Sequence, residues 1–444
     1  MLGFSGHRQW VYPRLVSGRF RSAHRYAAVA QHLVLFGIPL LPIAGHPALQ
    51  LDLAARRVYA LGGVFSANDS ILLMLFALIA AFSLFFFTSI LGRFWCGYLC
   101  PQTVFIEEWI RPIEHFIEGE RGARVRLDAA PWTGRKLLVK AIKQLLFVAV
   151  ALVLSVGMMA YFTGPSIWVG GASNGAYAMT AILTGTWYLD FAWFREQMCT
   201  YVCPYARFQG ALTDDHSLVV HYDAVKGEPR SRAARDVGGC VDCGKCAAVC
   251  PAGIDIRDGY QLECINCASC VDACESVMPK LGHPSLVRYS TALAEQTGQA
   301  SRLVRPRTVM YGALLTVLSI AVTTIIVRHE PFEVQLARMP GEPFFMAEDG
   351  SVRNNFFLTI KSNDPSPEPL TYTVRVDGLP TAETSLAPIT LQSLERVTRP
   401  VVVQLPVDQP INTLPFALHV ESAHGTVVIH NTFLTRGTAR PTEG

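Results

Sequence analysis

Eight of the twelve cysteines in this chain lie between residues 240 and 274, in two copies of one spacing. The first copy is Cys240-x2-Cys243-x2-Cys246-x3-Cys250-Pro251 and the second is Cys264-x2-Cys267-x2-Cys270-x3-Cys274. This is the ligand run of a bacterial-type ferredoxin, in which three thiolates on a tight turn cap one cubane cluster and the fourth crosses to the other. The spacing therefore groups Cys240, Cys243, Cys246 and Cys274 round a first [4Fe-4S] cluster. It groups Cys264, Cys267, Cys270 and Cys250 round a second. Zinc sites seldom use eight thiolates in tandem runs, and disulfides need an oxidising compartment. A segment so built, placed here at 236–285, moves single electrons. One departure stands out: Glu275, not proline, follows Cys274.

The chain as a whole is too apolar for an ordinary soluble enzyme, with 50% hydrophobic and 16% charged residues. The net charge of +3 points to no nucleic-acid partner. No secretory signal precedes the first apolar stretch. Five stretches read as membrane spans: 27–45, 71–91, 145–163, 176–194 and 309–327. The fourth is the weakest, carrying Thr180, Thr184, Thr186 and Asp190. Positive charge orients the set. The basic segment 1–26 holds Arg8, Arg14, Arg19, Arg21 and Arg25 without an acidic residue, so the N-terminus faces the cytoplasm. The connection 164–175 is uncharged and fits the outer side. Five spans leave the ferredoxin segment inside, where clusters are assembled, and the tail outside.

That tail, 328–444, contains no cysteine. Alternating apolar runs at 332–338, 355–361, 370–376, 398–404 and 425–433 predict strands. Turn signals at Glu348-Asp349-Gly350 and Asn363-Asp364-Pro365 separate some of them. The length suits one immunoglobulin-like sandwich. The fold class is thus a multi-domain membrane protein: a five-span α-helical bundle, a cytoplasmic double-cluster ferredoxin and a C-terminal β-sandwich.

The four remaining cysteines form a repeat in the membrane region 27–208. Cys96-x-Tyr98-x-Cys100-Pro101-x3-Phe105 closes the second span, and Cys199-x-Tyr201-x-Cys203-Pro204-x3-Phe208 closes the fourth. Residues 27–105 and 145–208 read as a duplication. A single pair of this kind reads as small buried apolar residues. Two copies sharing tyrosine, proline and phenylalanine point to chemistry instead. Spacing i, i+4 puts both thiols on one helical face, and the proline should bend or end the helix. The thiols then lie near a helix C-terminus, whose dipole disfavours thiolate. Arg93, Arg195 and Arg207 are candidates to offset it. Such a quartet suits monovalent copper, a third iron–sulfur cluster or dithiol–disulfide cycling, and the residues leave all three open. His32, inside a span, reads as a hydrogen-bonded packing residue. His115, His216 and His221 read as solvent-facing.

Taken together, these motifs resemble the cytochrome c oxidase accessory family called CcoG, FixG or RdxA. The resemblance includes the start Tyr12-Pro13-Arg14-Leu15-Val16-Ser17-Gly18-Arg19-Phe20-Arg21 and the stretch Asp349-Gly350-Ser351-Val352-Arg353-Asn354. It implies an inner-membrane cupric reductase, Cu(II) to Cu(I), serving assembly of a cbb-type oxidase, with a periplasmic immunoglobulin-like tail. By motif, Cys96, Cys100, Cys199 and Cys203 would bind copper, and the eight ferredoxin cysteines would hold the clusters that supply electrons. Copper-handling and oxidase-assembly proteins are the implied partners. The electron donor and the oligomeric state, a homodimer included, stay open. The rival readings are a quinol-linked conduit, as in maturation proteins for nitrate and nitrous oxide reduction, and a non-enzymatic scaffold.

Overall fold

The computed structural model describes residues 10–43, 45–66, 70–231, 239–302, 304–327, 332–342, 344–348, 350–362, 369–379, 383–384, 386–392, 395–405 and 413–434. Arg8, residues 236–238 at the start of the ferredoxin segment, and the turn residues Asp349, Asn363, Asp364 and Pro365 lie outside the described residues. The chain divides into two compact units, one of residues 1–40 with 70–323 and one of 41–69 with 324–444.

In the first unit, among the described residues, three helices are long and apolar enough to cross a membrane: Ile71–Leu91, Gly134–Ile167 and Pro306–Ile325. The Thr133 hydroxyl caps the second by accepting from the Lys136 amide at 3.2 Å. The stretch 176–194 is also helical, as Asn174–Leu189 followed by a wider π turn to Phe194. Its threonines are satisfied within the helix, since Thr180, Thr184 and Thr186 each donate to the carbonyl four residues back. The stretch 27–45 departs from the sequence expectation. The helix begins at Arg19, narrows to a 3-10 turn at Ile38–Leu40 and stops there. Pro39 and Pro42 remove the donors a continuing helix needs, and Pro42–Ile43 enters a short hairpin with His46–Pro47.

The ferredoxin segment is bracketed by a hairpin-like pair, Val219–Tyr222 antiparallel to Val287–Ser290. Val220, Ile256, Ala268, Val271, Met278, Leu286 and Val287 form its core. The arginine-rich start is docked onto it. Asp272 accepts from the amides of Phe20 and Arg21 at 3.2 and 2.8 Å, satisfying the first turn of the Arg19–His32 helix with a carboxylate from another segment. A methyl group on Gly18 would collide with that carboxylate. Arg19 pairs with Glu275 at 2.7 Å, and the Arg14 amide donates to Ala248 O at 2.8 Å. Glu275, the departure from the proline pattern, thus anchors the N-terminal segment.

A buried ionic network ties the segment between the two repeats to the N-terminal helix and to Arg195 of the second repeat. Glu114 lies between Arg195, at 2.9 Å, and Arg124. Glu118 binds Lys140 and Lys143 at 2.7 and 2.8 Å. Arg21 and His24 meet Glu108 at 2.8 and 3.1 Å. Burial alone would push the Glu114 carboxyl up, but Arg195, Arg111 and Arg124 hold it down at about 2 against an ordinary 4.5.

In the second unit the tail folds as two antiparallel sheets. One runs in the order Glu383–Thr384, Arg396–Leu405, Val352–Ser362, Phe332–Arg338, with Phe345–Met346 also on Val352–Ser362. The other runs Ile389–Leu391, Leu370–Asp377, Thr413–Ser422, Gly425–Leu434. Their inner faces bury Phe332, Phe356, Leu358, Ile360, Tyr372, Val401, Leu418 and Phe433. The Thr413–Ser422 strand escapes the sequence pattern because Pro415 interrupts its apolar run. Residues 49–66 of this unit form a three-stranded meander, Leu49–Asp52, Arg57–Ala60 and Gly63–Ser66.

Removing the Glu114 charge strands two buried guanidinium groups. Glu114→Ala should destabilise the extracted protein by about 3–5 kcal/mol in denaturant titration, and a neutral result would contradict the network. The depressed carboxyl stabilises the fold above pH 4.5, a contribution lost as pH falls toward about 2. Acid titration of Glu114→Gln should lack that component.

Candidate metal centre

The two cysteine runs fold round two separate cavities. Cys240, Cys243, Cys246 and Cys274 line one. Val241, Val277, Met278 and Leu286 complete much of its wall. Cys250, Cys264, Cys267 and Cys270 line the other, with Val220, Ile254, Ile256 and Ala268. Cys246 also borders this second space. Burial pushes the Cys246 and Cys264 thiols up to about 12 and Cys267 to about 11. Four soft sulfur donors in a mostly apolar shell, needing a cation's charge to ionise, fit an iron–sulfur cluster in each cavity.

Left-handed backbone makes the second loop possible. Asn266 and Ala268 adopt φ of 59° and 57°. The Asn266 side chain supports that turn: Oδ1 accepts from the Val220 amide at 2.9 Å, and Nδ2 donates to Leu91 O and Leu218 O at 3.1 and 3.2 Å. The cluster loop is thereby tied to the end of the Ser70–Leu91 helix.

Beyond that helix, the two C-x3-C-P motifs adopt one backbone. Gly92 and Arg195, each four residues before the first cysteine, are left-handed at φ 58° and 52°. Each is followed by a π turn, Trp95–Leu99 or Met198–Val202. The second cysteine is extended in both copies, at φ/ψ −71°/121° for Cys100 and −69°/111° for Cys203. The amides of Cys100 and Cys203 each donate five residues back, to Trp95 O and Met198 O, at 2.8 Å. Glycine accommodates this conformation freely; Arg195 is held in it by its pairing with Glu114.

As expected, Cys100 and Cys203 close the helical turns Trp95–Leu99 and Met198–Val202, but the chain does not leave the helix path there. Pro101 and Pro204 open new helices, Pro101–Phe105 and Pro204–Leu212, with Cys100 and Cys203 as their N-caps. Proline at the first helical position needs no amide partner and has the right φ. The dipole at Cys100 therefore favours thiolate. Burial pushes this thiol up, while the amides of Thr103 and Gln102 pull it down.

The folding of the duplication gathers all four thiols. Burial raises Cys96, and its ionisation is opposed further by Cys100, Cys199 and Cys203. Cys199 is raised to about 12 by burial and then by Cys100 and Cys203. The Cys96 thiol donates to Gln209 Oε1 at 3.0 Å. Among the described residues, no three His, Cys, Asp or Glu side chains converge tightly enough to enclose a single metal ion. The four thiols are thus within electrostatic reach of one another without forming a tight ligand group. Cys96 and Cys199 also reach a cavity of about 470 Å³, whose wall includes Arg93, Arg207 and Glu263.

The first motif lies against the second cluster loop. A methyl on Gly97 would come within 2.6 Å of Ile265 O and 3.1 Å of the Cys267 backbone. Tyr98 Oη donates to Cys267 O at 3.1 Å. Of the arginines named as counter-charges, Arg195 is committed to Glu114, Arg207 is exposed, and Arg93 is buried at the quartet. His32 is a packing residue, accepting from Trp109 Nε1 at 2.5 Å. His115, His216 and His221 are half-buried rather than solvent-facing, being enclosed where their segments pack. Sequence reasoning missed Gly97, Asn266 and Gln209. Gly97 had a signal, as the one residue between Cys96 and Tyr98, which the second repeat replaces with Thr200.

Apolar helices, a double cysteine run round two cavities and a thiol repeat define a membrane protein of the iron–sulfur electron-transfer class. Family models agree on its parts: a "4Fe-4S binding domain" over residues 73–117, a "4Fe-4S dicluster domain" over 194–292, and an "IG-like fold at C-terminal of FixG" over 322–436. The chain belongs to the FixG/RdxA family. It is 36% identical over 433 residues to the nitrogen fixation protein FixG of Rhizobium meliloti, covering 86% of this chain and 81% of that one. Protein RdxA of Cereibacter sphaeroides is 31% identical over 83% of this chain and 82% of its own length. Protein RdxB of the same organism is 34% identical, with 80% of each chain covered.

The seam at Gly97 has a direct test. Gly97→Ala must displace the backbone of the second loop, an overpacking cost of about 1–3 kcal/mol. Iron content should fall toward half the wild-type value while the first cluster's electron paramagnetic resonance signal persists. Unchanged iron would contradict the close approach.

Proposed function

We propose that this chain is an inner-membrane cupric reductase that passes single electrons to divalent copper at the Cys96, Cys100, Cys199 and Cys203 thiols. The observation that carries this reading is the gathering of four thiols from two distant repeats beside the loop of Cys264 and Cys267. When bound, [4Fe-4S] clusters supply one-electron chemistry, which matches the step from Cu(II) to Cu(I). On this reading Cys240, Cys243, Cys246 and Cys274 hold one cluster and Cys250, Cys264, Cys267 and Cys270 the other. The chain's own part is to bind and bias the substrate. Soft thiolates favour monovalent copper, so the quartet stabilises the product oxidation state. The N-cap position of Cys100 supplies thiolate character, and Gln209 orients Cys96.

The five-span topology belongs to the same proposal, with the ferredoxin segment cytoplasmic and the immunoglobulin-like tail periplasmic. Copper acceptors in assembly of a cbb-type oxidase are the partners this reading requires. A second reading has its own support: the model described as a 4Fe-4S binding domain spans 73–117, where Cys96 and Cys100 are the only cysteines. Completed by Cys199 and Cys203, that half-site would hold a third cluster.

Chemically reduced protein mixed anaerobically with Cu(II) separates the readings. Reductase function predicts oxidation of the clusters in step with Cu(I) captured by a chromogenic chelator. Cys100→Ser with Cys203→Ser should keep the iron of two clusters and slow copper reduction more than about a hundredfold, beyond what outer-shell changes alone do. Copper reduction at the wild-type rate in that variant would discard the site. Iron for three clusters in the wild type, falling to two in the variant, would favour the second reading.

A further inference from the structure

Arg93 follows the left-handed Gly92 at the end of the Ser70–Leu91 helix, three residues before Cys96. Only 5% of its surface is exposed. Its guanidinium spans three elements: Nη1 donates to Leu262 O, two residues before Cys264, and Nη2 donates to Ala206 O on the helix opened by Pro204. The same side chain lines the 470 Å³ cavity with Cys96, Cys199 and Glu263. Arg93 is therefore a bolt through both thiol repeats and the second cluster loop.

Its charge is the unexplained part. Buried arginines elsewhere in this unit are matched to carboxylates: Arg124 and Arg195 to Glu114, Arg111 to Glu107 and Glu196, Arg21 to Glu108. Among the described residues, Arg93 has no carboxylate within ion-pair reach, and its buried Nε has no hydrogen-bond partner. Two backbone carbonyls satisfy donors without neutralising the cation. An uncompensated buried charge is strongly unfavourable, so the site calls for negative charge beside this guanidinium. Apart from Glu263 across the cavity, which makes no ion pair with it, the groups beside it that can carry charge are sulfur: Cys96 on one side and the Cys264 loop on the other.

We propose that Arg93 is a positioning residue whose cation is shared by the second cluster and the Cys96 thiol, and that it sets the potential of the second cluster selectively. This rests on the ligand grouping proposed above. Adding an electron to a thiolate-ligated cluster adds negative charge, which a neighbouring fixed cation stabilises; the nearer cluster is thus the easier to reduce. The first cluster lies in the cavity bordered instead by Arg257, whose guanidinium is already paired with Asp242 and Asp255 at 2.6 Å. Lys245 borders that first cavity too, so what sets Arg93 apart is its hydrogen bond into the chain just before Cys264.

Redox titration followed by electron paramagnetic resonance tests this on the full-length, detergent-extracted protein, with Cys243→Ser used to assign the two signals. Arg93→Gln removes the charge and keeps a donor for one carbonyl; Arg93→Lys keeps the charge and loses the fork. The second cluster's midpoint potential should fall in Arg93→Gln and stay near the wild-type value in Arg93→Lys, with the first cluster's unmoved in both. An unshifted second cluster in Arg93→Gln overturns the proposal. So does an equal shift of both clusters, an equal shift in both variants, or loss of the second cluster from both. A wild-type protein lacking the second cluster would instead defeat the ligand grouping on which the proposal rests.

Discussion

Backbone meets backbone where Gly97 touches Ile265 and Cys267, with no space for a methyl group between them. That seam turns a membrane hairpin and a ferredoxin loop into one site. Everything around it serves to hold the approach. Asn266 ties the loop to the end of the Ser70–Leu91 helix, and Tyr98 donates into the same loop. Asp272 fixes the arginine-rich start to the ferredoxin helix from the other side. A ferredoxin on a mobile tether would deliver electrons by collision. Here the second cysteine loop is built into the floor of the thiol quartet.

The duplication explains how two membrane hairpins can make one quartet, and also where symmetry had to break. Both copies need a left-handed residue, a π turn and a proline that starts a new helix. In the first copy glycine serves the turn and faces the cluster loop. In the second copy the same turn is made by Arg195, a conformation a side chain adopts only at a cost, held by the buried charge of Glu114. The ionic network is therefore part of how the second pair of thiols is aimed. Position 97 is glycine where the cluster loop presses in, and its counterpart Thr200 lines the cavity instead.

Much of this was legible in the sequence because cysteine spacing and apolar runs are local signals. The double run put eight thiols in one segment, where they line two cavities with Cys246 bordering both, and five strands of the tail followed from alternation. The span at 27–45 was read too long because hydropathy averages over Pro39 and Pro42, whose effect is on backbone donors. The C-x3-C-P thiols do lie at a helix end, as the proline implied, and spacing alone did not say that the same proline begins the next helix. What was illegible depends on partners distant in sequence: Asp272 capping a helix 251 residues away, Glu114 holding Arg195 81 residues on, Arg93 reaching Leu262 169 residues on. No window of sequence contains such pairs.

The account stands on sulfur ligating iron in both cavities, and the most direct measurement is quantitative iron and acid-labile sulfide on anaerobically purified protein, with electron paramagnetic resonance of the reduced form. It predicts iron and sulfide for at least two [4Fe-4S] clusters per chain and a spectrum showing two paramagnets in magnetic contact. Protein that is folded but devoid of iron and sulfide, or that carries zinc in their place, would contradict it.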